Sequence, residues 1–236
     1  GEGPWAAVVT GAAGTGKSAL WARLARDLEA AECLVLAHAA GISARAGSVE
    51  AMLRRWNGEL SAHLGLSAGG DEATGLPQVE QQFAERRSQA AARGRVVLLV
   101  DALNQFERTP AARHLTWLPE LWPANARLIA TAIAGEESAA LCRRPGVVTL
   151  ALPPLDEREA AGMVAAIAAR HHKAVHPAVA AALVERRTPG GESAAGNPLW
   201  LSIAVETLLL LDEEDFARAP RYAGTPEAQL DRKSVV

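Results

Sequence analysis

The sequence predicts an α/β fold, a parallel five-stranded sheet with helices on both faces, followed by a small all-helical domain. Three observations predict it. Short apolar runs alternate with helix-spaced segments through the first 150 residues. After Pro153-Pro154 the pattern is helical only. A glycine-rich run sits at the junction of the first apolar run and the first helical segment.

In chain order, Ala6-Ala7-Val8-Val9-Thr10 is a short apolar run that fits a buried strand ending at Gly11. Leu20, Trp21, Leu24 and Leu28 recur at helical spacing and predict a helix over 17–31. A second strand follows at 33–37, and Val49, Met52, Leu53, Trp56 and Leu60 predict a helix over 48–64. Residues 65–77 are glycine-rich and read as a surface loop, and 78–92 read as a polar helix. Val96-Val97-Leu98-Leu99-Val100 is the clearest strand of the chain, and 128–132 and 147–150 complete the set of five. Asp156 and Glu159 form an N-terminal capping box for a helix over 157–171. Helices over 177–187 and 197–211 follow, separated by Thr188-Pro189-Gly190-Gly191. The expected division is a nucleotide-binding domain over 1–153 and a helical domain, itself truncated, over 154–236.

Composition narrows the function classes. The 236 residues are 49% hydrophobic and 22% charged with a net charge of −3, a globular balance that excludes a disordered tail or a fibre. Without clustered excess positive charge, a nucleic-acid partner is not expected. No apolar stretch is long enough to cross a membrane, and Cys33 and Cys142 have neither disulfide nor metal spacing, so a reduced, cytoplasmic protein is expected. The opening Gly1-Glu2-Gly3 lacks an initiator methionine, which suggests a domain from a longer protein. Lysine occurs only at Lys17, Lys173 and Lys233, and every other long-chain base is arginine.

Gly11-Ala12-Ala13-Gly14-Thr15-Gly16-Lys17-Ser18 matches the phosphate-loop pattern G-x-x-x-x-G-K-[ST]. Glycines let backbone N–H groups curl around phosphate oxygens, and the following helix, through Ala19, points its positive end at the same anion. The Lys17 ammonium would neutralise the β- and γ-phosphates, and the Ser18 hydroxyl would ligate Mg²⁺. A second acidic ligand is expected at the tip of another buried strand, and Asp101, directly after Val96–Val100, fits; the alternative reading of Asp101 is a helix N-cap. A guanine reader of the type Asn/Thr-Lys-x-Asp needs a lysine that this chain does not supply, since Lys173 stands in His172-Lys173-Ala174-Val175 and Lys233 precedes Ser234-Val235. ATP or ADP is therefore favoured.

With the phosphate loop, the run Val100-Asp101-Ala102-Leu103-Asn104-Gln105, Trp117-Leu118-Pro119, Arg127-Leu128-Ile129-Ala130-Thr131 and Gly196-Asn197-Pro198-Leu199, the chain resembles a NACHT-type STAND ATPase. The nearest branch is that of the telomerase-associated and nephrocystin-like proteins. The resemblance spans residues 5–210 and implies a nucleotide-controlled switch, fused to sensor and effector domains and capable of nucleotide-dependent self-association. It implies that Pro198 packs near the adenine and that Thr131 sits beside the γ-phosphate. It also implies slow Mg²⁺-dependent hydrolysis at most. Where many relatives carry further acids after the strand-end aspartate, this chain has Asn104 and Gln105, of which Gln105 could orient an attacking water. No arginine follows Thr131, and the Met-His-Asp motif of the winged-helix domain is absent. A non-hydrolysing nucleotide-binding scaffold and a small-molecule P-loop kinase are the alternatives.

His171, His172 and His176 read as solvated helix-end residues rather than a metal site, and the six tryptophans read mainly as core. Arg54-Arg55, Arg86-Arg87, Arg143-Arg144 and Arg186-Arg187 read mostly as solvated faces, with no basis for choosing one as a finger acting in trans.

Overall fold

The computed structural model describes residues 3–31, 33–66 and 75–210. The expected loop over 65–77 lies partly outside the described residues, as does everything from 211 onward, including Lys233. Two compact units are present, one of Gly1–Ala13 with Lys17–Leu152 and one of Gly14–Gly16 with Pro153–Val236.

The first unit is built on β1 (Ala6–Thr10), β2 (Leu34–Ala39), β3 (Val96–Asp101), β4 (Ala126–Ala132) and β5 (Val147–Ala151). Among the described residues these five form one sheet, in the order β2-β3-β4-β1-β5, and every pairing is parallel. All five carboxyl ends therefore lie along one edge. The strand between two paired neighbours and two covered faces must be apolar throughout, and all six residues of β3 are buried. β5 stands at the sheet margin and is mostly exposed, with Leu150 55% accessible, although its composition is as apolar as that of the inner strands.

One face of the sheet (Val8, Leu36, Val96, Leu98, Val100, Leu128, Ala130) packs against Leu53, Trp56 and Leu60 of α2 (Val49–Leu64) and Val79 and Phe83 of α3 (Leu76–Arg93). The opposite face receives α1 (Lys17–Glu29), which packs on β2, β3 and β4 with no fully buried residue of its own. Two short helices, α4 (Pro110–His114) and α5 (Glu136–Cys142), complete the unit. The ends of α2 follow capping chemistry: the Ser48 hydroxyl accepts the Ala51 N–H, and Gly65 closes the helix at φ +71°.

Two arginines depart from the solvated-face reading. Arg87 is 2% exposed; it donates to the Leu121 carbonyl at 2.7 Å and lies 4.3 Å over the Trp122 ring, which in turn stacks on Trp5. Burial lowers its guanidinium to about 10. Arg144 donates to the carbonyls of Leu115, Leu118 and Pro119 and so closes the irregular segment after α4. Both satisfy backbone or aromatic groups that a Lys-poor, Arg-rich sequence does not distinguish from solvent-facing positions. Cys142 is exposed, Cys33 half-buried, and both are free thiols.

The second unit contains α6 (Glu157–Arg170), α7 (Pro177–Val184) and α8 (Pro198–Leu209). The Asp156–Glu159 capping box forms in both directions, at 2.7 and 2.9 Å. Its core is Ala160, Val164, Ile167, Ala195, Leu201 and Val205. His176 caps α7 by accepting the Ala178 N–H, and no cluster of metal-ligating side chains occurs among the described residues. No helix among the described residues is long and apolar enough to cross a membrane.

At the carboxyl end of β2, His38 stacks on Phe106 and its Nε2 lies 2.8 Å from the Ala46 carbonyl, while the Arg55 guanidinium approaches Nδ1 at 3.3 Å. A carbonyl on one nitrogen and a donor on the other select the neutral ring protonated at Nε2. Burial, reinforced by Arg55, holds the imidazole below its ordinary 6.5, against the opposing Ala46 carbonyl. A group whose pKa is depressed by folding stabilises the fold above the unfolded value and loses that contribution as pH falls. Stability measured by urea unfolding is therefore expected to drop from about pH 6.5 downward, and His38→Gln should flatten the slope in that window; an unchanged slope would remove His38 from the account.

Candidate nucleotide site

The site lies on the sheet edge formed by the carboxyl ends of the strands. β1 ends at Thr10, and the chain passes through Gly11, Ala12 and Ala13 before α1 begins at Lys17. Gly14 and Gly16 adopt φ of +79° and +89°, the left-handed backbone that a side chain disfavours. Within the second unit, the Leu199 N–H donates to the Gly14 carbonyl at 3.1 Å, and a Cβ on Gly14 would stand 2.5 Å from Asn197 Oδ1. Both glycines are therefore required by conformation, and Gly14 by space as well. Asn197 in turn caps α8 by accepting the N–H groups of Leu199 and Trp200. Pro198 occupies the first position of that helix.

Lys17 donates to the carbonyls of Gly11 and Ala12 at 2.8 and 2.6 Å, so its ammonium is folded over the first half of the loop. Burial lowers its pKa from the ordinary value, and the negative charge of Asp101 acts in the opposite direction. Ser18, one residue on, is exposed, as is Ala19.

Asp101 is 7% exposed and does not cap a helix. Instead, one carboxylate oxygen accepts the hydroxyl of Thr131, which is 2% exposed on β4. The Thr131 oxygen also accepts the Ala102 N–H at 2.9 Å. One hydroxyl thus serves two groups of the neighbouring strand end. Ala102 adopts φ +59° and redirects the chain into a turn of 3₁₀ helix at Leu103–Gln105. Asn104 returns to β4, where its Oδ1 accepts the Ile133 N–H at 3.1 Å. Beside it opens a polar cavity of about 300 Å³ lined by Asn104, Arg108, Arg113, Glu136 and Glu137, in which Arg113 and Glu136 form an ion pair at 2.8 Å.

The structure thus brings Lys17, Asp101 and Thr131 to neighbouring positions. Gln105 is not among them, because its carboxamide lies against Gly41 at the end of β2, on the side of β3 away from β4. Ala102 and Asn104 have structural parts that no sequence signal marked. A left-handed residue is normally announced by glycine or asparagine, and position 102 is alanine.

The donor set fits a divalent cation. A nearly buried strand-end carboxylate, fixed through one oxygen by Thr131, and an exposed hydroxyl at the second residue of α1 are both hard oxygen ligands. Thr131→Val removes an acceptor from Ala102 and a donor from Asp101 inside a buried strand pair. Loss of about 1–3 kcal/mol is expected, read from the midpoint of a denaturant curve, with Thr131→Ser retaining most of it.

Comparison with known proteins bears on the fold. No protein-family model matches the sequence. A TPR repeat-containing protein of Dictyostelium discoideum is 24% identical over 121 residues, 50% of this chain, which spans 7% of that protein's length. Among solved structures, a Walker-type ATPase of Pyrococcus abyssi superposes with a TM-score of 0.60 at 16% identity, covering 94% of this chain and 67% of that one. AMPPCP-bound DnaA from Aquifex aeolicus gives 0.54 at 12% identity, covering 92% and 58%. Domain III of the Thermotoga maritima replication initiation protein DnaA gives 0.51 at 12%, covering 89% and 77%. At these identities the likeness is one of fold: the first unit, with its five-stranded parallel sheet, has the architecture of the P-loop ATPases.

Proposed function

We propose that this chain is an ATP- or ADP-binding switch module of a STAND-type signalling or assembly ATPase, with slow Mg²⁺-dependent hydrolysis at most. The observation that carries the reading is the convergence of the Lys17 ammonium and the Thr131-held Asp101 carboxylate beside a loop whose glycines take positive φ. That arrangement supplies backbone donors, one cation and one carboxylate to a polyphosphate, and little else. In the bound state Lys17 exchanges its two loop carbonyls for phosphate oxygens. Asp101 and Ser18 hold Mg²⁺, which neutralises charge on the phosphates. Thr131 keeps the Asp101 carboxylate in place, and the NACHT resemblance would set it beside the γ-phosphate. Pro198 is assigned to the adenine through the NACHT resemblance, and cofactor contacts are assigned to Gly11, Ala12, Ala13, Gly14, Thr15, Gly16, Lys17, Ser18 and Ala19.

A second reading, a scaffold that binds nucleotide without turnover, is favoured by one observation. The two positions where the NACHT resemblance leads one to expect acids hold amides, and both amides face other tasks: Asn104 accepts from Ile133, and Gln105 lies against Gly41. Neither amide is a base at neutral pH. This chain spans 7% of the TPR repeat-containing protein it resembles, which fits a module within a longer chain; flanking sensor and effector domains are carried over from the NACHT resemblance. Nucleotide-dependent self-association and a cytoplasmic setting belong to the same proposal.

Calorimetry tests both site assignments. Lys17→Ala is expected to abolish ATP and ADP binding, and unchanged affinity would overturn the phosphate site. Asp101→Asn is expected to keep binding but weaken its dependence on Mg²⁺. Duplex DNA is the control ligand, because two of the neighbours are replication initiation proteins of the DnaA type while the net charge here is −3.

A further inference from the structure

The backbone pairing of β3 with β4 ends at Val100 and Ala130. Beyond it, each strand end still has an N–H directed toward the other, and a side chain meets each one. The β4 side chain Thr131 accepts the Ala102 N–H, and the β3-side residue Asn104 accepts the Ile133 N–H. The two bonds extend the ladder past its last backbone pair, one from each strand. Between them stands Ala102 at φ +59°, a conformation costing a non-glycine residue about 1–2 kcal/mol. The Gln105 N–H closes the turn onto the Ala102 carbonyl at 2.8 Å. Asp101 immediately precedes this strained residue, so its direction depends on the turn staying clasped.

We propose that Asn104 is a positioning residue for Asp101. Its amide oxygen clasps the turn after β3 to the end of β4 and thereby fixes the carboxylate that holds the divalent cation. This inference rests on the nucleotide-switch reading and deepens it. The residue type follows from the surroundings: the partner is a backbone donor, so the oxygen must face Ile133 and the Nδ2 group faces away. Asn104 therefore does a structural task. Only the acceptor oxygen is required, which separates this role from proton transfer.

The test pairs Asn104→Ala with Asn104→Asp, because aspartate keeps the acceptor. Two quantities are read. One is hydrogen exchange at the Ile133 amide without nucleotide. The other is the ratio of ATP affinities with Mg²⁺ and with EDTA. Asn104→Ala is expected to remove protection at Ile133 and reduce the Mg²⁺ ratio by about tenfold, as loss of a residue supporting a metal ligand does. Affinity in EDTA should stay unchanged, and Asn104→Asp should restore both quantities. An alanine variant with the wild-type Mg²⁺ ratio overturns the proposal, as does an aspartate variant that behaves like alanine. If the wild-type chain binds no nucleotide, the switch reading fails first and this inference with it, an outcome distinct from wild-type binding that Asn104→Ala leaves untouched.

Discussion

A carboxylate at the end of a fully buried strand is the constraint on which the first unit depends. Asp101 continues β3, whose five preceding residues are apolar and inaccessible, and an ionised group in that setting must be compensated. The compensation comes from the adjacent strand. Thr131 donates to Asp101, and Lys17 supplies opposite charge from the start of α1. Both partners depend on strand order. Because β4 lies between β3 and β1, a threonine at the end of β4 is beside Asp101, and the loop that follows β1 is one strand further on. Parallel pairing places all these ends on one edge. An antiparallel neighbour would send one of the three to the opposite edge, so the topology is a requirement of the site as much as of the core.

A similar logic governs the other buried polar groups. Arg87 lies under Trp122 with a single backbone acceptor, and its Nε and Nη1 have no partner among the described residues. Its planar cation finds a π face where it lacks carboxylates, which a lysine would use less well. His38 is held neutral by having a carbonyl on one side and a guanidinium on the other, and it joins the loop after β2 to Phe106. Gln105 against Gly41 and the Glu107 N–H on the Gly47 carbonyl reinforce the same junction. The segment after β3 is therefore tied on both flanks, to β4 through Thr131 and Asn104 and to the loop after β2 through residues 105–107.

Most of this architecture is legible in the sequence, because its elements carry periodic signals. β1 and α1 begin where the apolar pattern and the phosphate loop place them, and α2 and α6 begin at the capping residues. Lys17 and Asp101 are both marked in the sequence, each by chemistry that a phosphate and a cation require, and the structure brings them near enough for the Asp101 charge to act on the Lys17 ammonium. What the sequence does not reveal depends on neighbours distant in the chain. The burial of Arg87 depends on a tryptophan 35 positions later, and Arg144 reaches carbonyls 25 to 29 residues earlier. β5 reads as an inner strand because hydrophobicity does not encode whether a second neighbour exists. The left-handed Ala102 carries no residue signal, because tertiary bonds hold it against its own preference.

The amides after Asp101 bear on how such a switch would work. A hydrolysing site needs a base or a water-orienting group near the γ-phosphate, and one that only holds nucleotide needs a fixed cation ligand. Here Thr131 uses its hydroxyl on both Asp101 and Ala102, and Asn104 uses its oxygen on the Ile133 N–H just past β4. Neither a threonine hydroxyl nor an asparagine amide is a base at neutral pH. For a switch that reports which nucleotide is present, slow chemistry is an advantage, since the signal then lasts until exchange or a partner ends it.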